Sequence, residues 1–122
     1  MLIGFGTLRV FVAREPVDLR RGFDGLAALA GSVAGQDPLS GHLFVFVNRR
    51  RDRMKVLYWE RGGFCLWYKR LEAGVFVLPA GEPGSLEISP ADLTMIVEGV
   101  DPSRVHRGKR FVRPASPAIA AP

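Results

Sequence analysis

Three aspartates stand in the first third of the chain, Asp18, Asp24 and Asp37, and acid–base chemistry would have to begin with them. Such chemistry needs carboxyl groups that meet in space. Asp18 and Asp24 are six residues apart on one predicted helix, about 240° around its axis, so they diverge. Asp24 follows Arg20 by four and Arg21 by three, the spacing of ion pairs on a helix surface. Asp37 precedes Pro38 and reads as a turn residue. The soft ligands are His42, Cys65 and His106, and no two have the short spacing of a zinc site. Cys65 sits between Phe64 and Leu66, where a lone thiol is expected to be packed rather than reactive. No GxxxxGK[ST] string occurs, and Gly22 and Gly25 fall inside the predicted helix rather than between strand and helix. These patterns predict no catalytic residue, no metal site and no cofactor, and so a protein that is not an enzyme.

The basic residues are patterned differently. Arg49, Arg50, Arg51 and Arg53 crowd into one short loop, with Lys55 just beyond. Four guanidinium groups on a loop repel one another unless an anion joins them. Their planar forks match phosphate oxygens, and the set could straddle a duplex backbone. Lys69 and Arg70 extend the basic stretch, and Arg107, Lys109 and Arg110 form a further run near the C-terminus. Flat rings stack on unpaired bases, but the periodicity of Trp59, Trp67 and Tyr68 assigns them to the core instead.

The elements that must position these groups follow from apolar spacing. TLRVFVA (residues 7–13) alternates as a half-buried strand and stops before Pro16. A helix is predicted from Asp18 as N-cap, with Leu19, Phe23, Leu26, Ala30 and Val33 on one face and Gly31 or Gly35 as C-cap. Gly22 and Gly25 weaken that helix, and they would let a backbone or ligand approach closely. HLFVFV (residues 42–47) and MKVLYW (residues 54–59) form a hairpin around the arginine loop, with Lys55, Leu57 and Trp59 on one face. His42 falls at a strand edge. After Gly62-Gly63, the spacing of Phe64, Trp67, Tyr68 and Leu71 predicts a second helix, with Lys69 and Arg70 in its last turn and Gly74 as cap. Residues 75–79 and 86–88 read as short strands. Ser89, Pro90 and Asp92 mark the start of a third helix, which Gly99 ends.

The predicted order is β-α-β-β-α-β-β-α. It describes an α+β domain over residues 1–103 with an antiparallel or mixed sheet and helices on one side. Residues 104–122 follow as a basic, then Pro/Ala-rich, flexible tail. The chain has 122 residues, enough for one domain, and at 48% hydrophobic it can bury a core. No run of 18 apolar residues occurs, and the N-terminus lacks signal-peptide features, so a cytoplasmic protein is expected. The net charge of +5 is distributed in blocks. Residues 42–70 hold eight basic and two acidic side chains, residues 71–103 hold six acidic and no basic, and residues 104–122 hold five basic and no acidic. Two basic blocks thus flank an acidic one, which suits a polyanion on the former and a basic partner on the latter.

Four strings also carry a resemblance: DLRRGFDGLAAL from Asp18, QDPLSGHLFVFVNRRRDRMKVLYW from Gln36, GFCLWYKRLEAGVF from Gly63 and LEISPADLTMIVEGVD from Leu86. They resemble the TnpB, or Orf2-like, accessory family of the IS66 bacterial insertion sequences. The resemblance implies a role in transposition beside a separate transposase, with no established catalytic residue. It marks Asp18, Arg20, Gly22, Asp24, Gly25, the arginine loop and residues 68–70 as places to look. The combined expectation is a non-catalytic protein that binds or positions duplex DNA through Arg49, Arg50, Arg51, Arg53, Lys55, Lys69 and Arg70. The tail residues Arg107, Lys109 and Arg110 would add affinity. The alternative is a protein-interaction module that contacts the transposase without touching DNA.

Overall fold

The computed structural model describes residues 8–80 and 84–104. The tail with Arg107, Lys109 and Arg110, and the domain boundary drawn before it, therefore lie outside the described residues apart from Arg104. Five strands form one mixed sheet: β1 (Val10–Ala13), β2 (Leu43–Val47), β3 (Arg53–Glu60), β4 (Gly63–Arg70) and β5 (Ser85–Ile88), in the order β4-β3-β2-β1-β5. Helix α1 (Phe23–Ala34) lies between β1 and β2, which run parallel. Parallel neighbours cannot be joined by a tight turn and need such a crossover. The remaining pairs are antiparallel. Helix α2 (Pro90–Val97) and a short 3-10 turn (Pro102–Arg104) close the described chain.

The two helices cover opposite faces of the sheet, not one face as expected. Phe11, Phe44, Phe46 and Leu57 point to the side where Leu26 and Ala30 of α1 pack. Val10, Val12, Val45, Met54 and Val56 point to the side where Leu93 and Ile96 of α2 pack, with Phe76. Every residue of β1 and β2 is consequently buried. The half-buried reading of β1 is corrected by the same fact: a central strand covered on both faces needs no polar side.

The largest correction concerns residues 63–70, which form strand β4 and not a helix. They pair with β3 in unbroken register from Arg53↔Arg70 to Glu60↔Gly63. The two residues between the strands, Arg61 and Gly62, have φ of 51° and 84°. Positive φ at both positions makes a tight turn whose twist matches antiparallel strands. Phe64 and Leu66 join the α1-side cluster, and Trp67 packs on the α2 side. A short apolar run can satisfy both periodicities, and here the neighbouring β3 provides the hydrogen bonds that decide.

Helix α1 begins at Phe23, five residues after the expected cap. The Asp18 carboxylate instead accepts from the Arg20 N–H at 3.0 Å and holds the Arg20 guanidinium, which turns the chain outside a helix. The spacing of Asp24 to Arg20 and Arg21 thus has no helical meaning, and no ion pair joins them. No backbone among the described residues approaches Gly22 or Gly25 closely: Gly22 has open space, and Gly25 faces only the Arg21 side chain. Gly35 does cap the helix, at φ 64°. Residues 75–79 are irregular rather than a strand, pinned by the fully buried Phe76. Helix α2 starts as expected, with Ser89 Oγ accepting the Asp92 N–H at 3.0 Å and Pro90 in the first turn.

Candidate nucleic-acid interface

One side chain organises the arginine loop. Asn48 Oδ1 accepts from the N–H groups of Asp52 and Arg53, each at 3.0 Å, and Asn48 Nδ2 donates to Asp52 Oδ1 at 2.7 Å. The Asn48 amide holds the Asp52 carboxyl below its ordinary range, and the charges of Arg50 and Arg53 add to the effect. The Arg51 N–H donates to Asn48 O at 3.0 Å and closes a turn in which Arg51 takes φ 60°. This left-handed conformation costs a residue with a Cβ roughly 1–2 kcal/mol. The loop is tied down from the next segment: Leu71 N–H donates to Asp52 O at 2.8 Å, and Phe76 N–H donates to Arg51 O at 2.7 Å. With Phe76 fully buried, the guanidinium groups stand on a rigid base.

The loop divides its arginines between two clefts. Arg49, Arg50 and Arg53 line one of about 480 Å³, with Tyr68 on the same side and residues 16–20 as the opposite wall. Four guanidinium groups, counting Arg20, there face one carboxylate, Asp18. Asp18 is already held by Arg20, chiefly through side-chain hydrogen bonds that lower its pKa to about 2. Arg51 instead lines a second cleft of about 670 Å³ with Arg14, beside Val75 and Leu78. In that second region Arg14 Nη1 is shielded from solvent and has no hydrogen-bond partner.

The other basic residues separate in the same way. Lys55 shares the face of Arg53; its Nζ donates to Arg21 O at 3.1 Å and lies 5.0 Å from the centre of the Tyr68 ring. Arg70 pairs with Glu72 at 2.9 Å. Lys69 turns to the opposite face and donates to Val97 O at 2.8 Å, satisfying a carbonyl at the end of α2. Trp59 stays on the face of Lys55 but about 13 Å along the strand, edge-on to Phe64 with ring centres 5.0 Å apart.

Two features of the cleft, marked by the family resemblance, differ from what residue spacing alone predicts. Tyr68, assigned to the core, is 50% exposed, and its Oη accepts from Arg53 Nη1 at 3.1 Å. The wall formed by Asp18 and Arg20 was taken for the start of a helix, although both residues stand in the first of the strings carrying the family resemblance. Among the described residues no group of three or more His, Cys, Asp or Glu is placed to hold a metal ion. His42 is used structurally, with Nδ1 accepting from the Arg9 N–H at 3.0 Å. Cys65 is half-buried on β4.

A five-stranded mixed sheet with one helix on each face and a cleft lined by several arginines define a small α+β protein. The family model for the IS66 Orf2-like proteins (TnpB_IS66) matches residues 8–107, and the chain belongs to that family. It is 44% identical over 111 residues to the uncharacterized protein y4jC of Sinorhizobium fredii (strain NBRC 101917 / NGR234), covering 91% of this chain and 94% of that one. It is also 41% identical over 101 residues to the uncharacterized protein y4hO of the same strain, covering 83% and 88%. No solved structure matches the chain significantly. No helix among the described residues is long and apolar enough to cross a membrane.

Proposed function

We propose that this chain is a non-catalytic accessory subunit of insertion-sequence transposition that binds and positions duplex DNA through its arginine cleft. The observation that carries the reading is the set Arg49, Arg50 and Arg53 on a rigid loop around an open cleft, with no ion pair to any described carboxylate. Phosphate is the anion their geometry suits. Lys55 continues the patch, while Arg70 adds to it only by releasing Glu72. Lys69 contributes to the fold instead. The basic run of Arg107, Lys109 and Arg110 supplies further charge for the same polyanion. Contacts of this kind set register on the duplex and carry little sequence information. Membership of an insertion-sequence family supports a place beside the element's transposase, which is the second partner we propose.

A salt titration tests this. The logarithm of duplex affinity falls with the logarithm of salt concentration by roughly 0.9 per phosphate contact. Arg49→Ala, Arg50→Ala and Arg53→Ala each reduce that slope by about 1, across unrelated sequences, with the melting temperature little changed. Unaltered slopes in three folded variants would remove the cleft from DNA binding. Transposase capture in the absence of DNA would then favour the interaction-module alternative.

A further inference from the structure

From the arginine cleft we infer that Tyr68 is a stacking platform for an unpaired base, so that the cleft takes a nucleotide at a single-stranded DNA end in preference to a blunt duplex. The inference rests on the DNA-binding reading above and names the form of DNA that the cleft prefers.

Four observations meet at this ring. Tyr68 lies on β4, which has a strand neighbour on one side only. Its cross-strand partner is Lys55, whose Nζ lies over the ring at 5.0 Å. The cation covers one side of the ring, while at this edge position the residue keeps 50% of its surface exposed. The ring is also fixed in orientation, because its hydroxyl accepts from Arg53 at 3.1 Å. Finally, Arg49, Arg50 and Arg53 line the same cleft.

The remaining aromatic residues clarify the point. Trp67 packs into the core cluster and Trp59 packs against Phe64, so both have apolar partners. No aromatic ring packs against Tyr68 among the described residues. An exposed ring with one cation over a face and another at its hydroxyl, beside further guanidinium groups, offers what the two parts of a nucleotide need: a flat face for the base and forks for its phosphate. In a closed duplex each base face is occupied by its neighbours. Only an unpaired or frayed nucleotide has a face to give.

The test compares a blunt duplex, the same duplex with a single-stranded overhang, a single-stranded oligonucleotide and a free mononucleotide, all titrated into the full chain by fluorescence anisotropy or calorimetry. The overhang duplex should bind roughly five- to a hundred-fold tighter than the blunt one, the span of one stacked base. Tyr68→Phe keeps the ring and should keep that preference. Tyr68→Leu and Tyr68→Ala should abolish it, bringing the ratio of overhang to blunt affinity to about one whatever the variants do to duplex affinity itself. Equal affinity for blunt and overhang duplex in the unaltered protein overturns the inference, and so does a Tyr68→Leu variant that retains the preference. A Tyr68→Phe variant that loses the preference also overturns it, because the hydroxyl rather than the ring would then matter. If the mononucleotide binds as tightly as the overhang duplex, the site is one for free nucleotides and the DNA-end assignment falls. Absence of binding to any DNA would instead refute the underlying proposal, so the two failures are distinguishable.

Discussion

The two hairpin loops at the ends of β3 show how similar residues become different devices. Each holds an arginine in the left-handed region, Arg51 at φ 60° and Arg61 at φ 51°. They are separated by the length of an eight-residue strand, about 24 Å. The turn at Arg61-Gly62 only reverses the chain, and Gly62 accepts positive φ without strain. The loop at residues 48–52 is longer, organised by Asn48 and tied to Leu71 and Phe76 from outside the hairpin. Positive charge on a free tip is solvated surface. On an anchored loop whose side chains converge on a cleft, the ordering cost of the anion site proposed above is met in folding and not in binding.

Several substitutions can break or sharpen that contrast. Asn48→Ala removes three side-chain hydrogen bonds and should lower stability by roughly 2–3 kcal/mol. DNA affinity should fall with it, since the guanidinium groups lose their common base. Chemical denaturation and anisotropy on the same sample check both. Gly62→Ala forces a Cβ into positive φ at the opposite turn and should cost about 1–2 kcal/mol. Its DNA affinity, measured where it is still folded, should match the unaltered protein. An equal loss in both variants would show that the loops do not differ in function.

Smaller effects probe the anchored loop itself. Arg51→Gly relieves the left-handed strain and should raise stability by up to about 1 kcal/mol, offset in part by the greater freedom of glycine in the unfolded chain. It should leave the cleft of Arg49, Arg50 and Arg53 intact. A drop in melting temperature would mean that the Arg51 side chain makes a stabilising contact in the second cleft. The smallest effect concerns the cleft's opposite wall. The Asp18 carboxyl is lowered from 3.8 to about 2 by its hydrogen bonds to Arg20. A depressed carboxyl stabilises the folded state above its unfolded pKa and loses that contribution as pH falls through the folded one. The melting-temperature gap between the unaltered protein and Asp18→Asn should therefore be constant above about pH 4 and close toward pH 2. Because the pair is exposed, the gap should be small and shrink with added salt. A gap that persists at pH 2 would assign the difference to something other than this ionisation.

How legible the molecule was in its sequence depended on whether the relevant interactions are local. Strands β2 and β3 were readable from apolar runs, the α2 start from Ser89, Pro90 and Asp92, and the arginine loop from its composition, all within a few residues. Residues 63–70 were misread because Phe64, Trp67, Tyr68 and Leu71 satisfy helical spacing, while the competing hydrogen bonds come from a neighbouring strand. The N-terminus of α1 was misplaced because Asp18 has two uses for its carboxylate, capping a helix or closing a turn onto Arg20. Both satisfy local rules, and the choice falls to the packing of residues 16–21 beside β2, where the Val17 N–H donates to Val47 O at 2.9 Å.

The sequence by itself determined that a basic loop would sit between two apolar strands, that an acidic block would follow, and which family the strings belong to. These are facts of composition and order along the chain. Only the tertiary structure decided that helices cover both faces of the sheet and that Arg51 parts from Arg49, Arg50 and Arg53. It alone turned Lys69 to a helix end and left Tyr68 open at an edge. Each of these depends on which side of a strand a residue occupies and what lies across from it. Strand pairing over long separations sets both, and spacing along the chain carries no record of the partner.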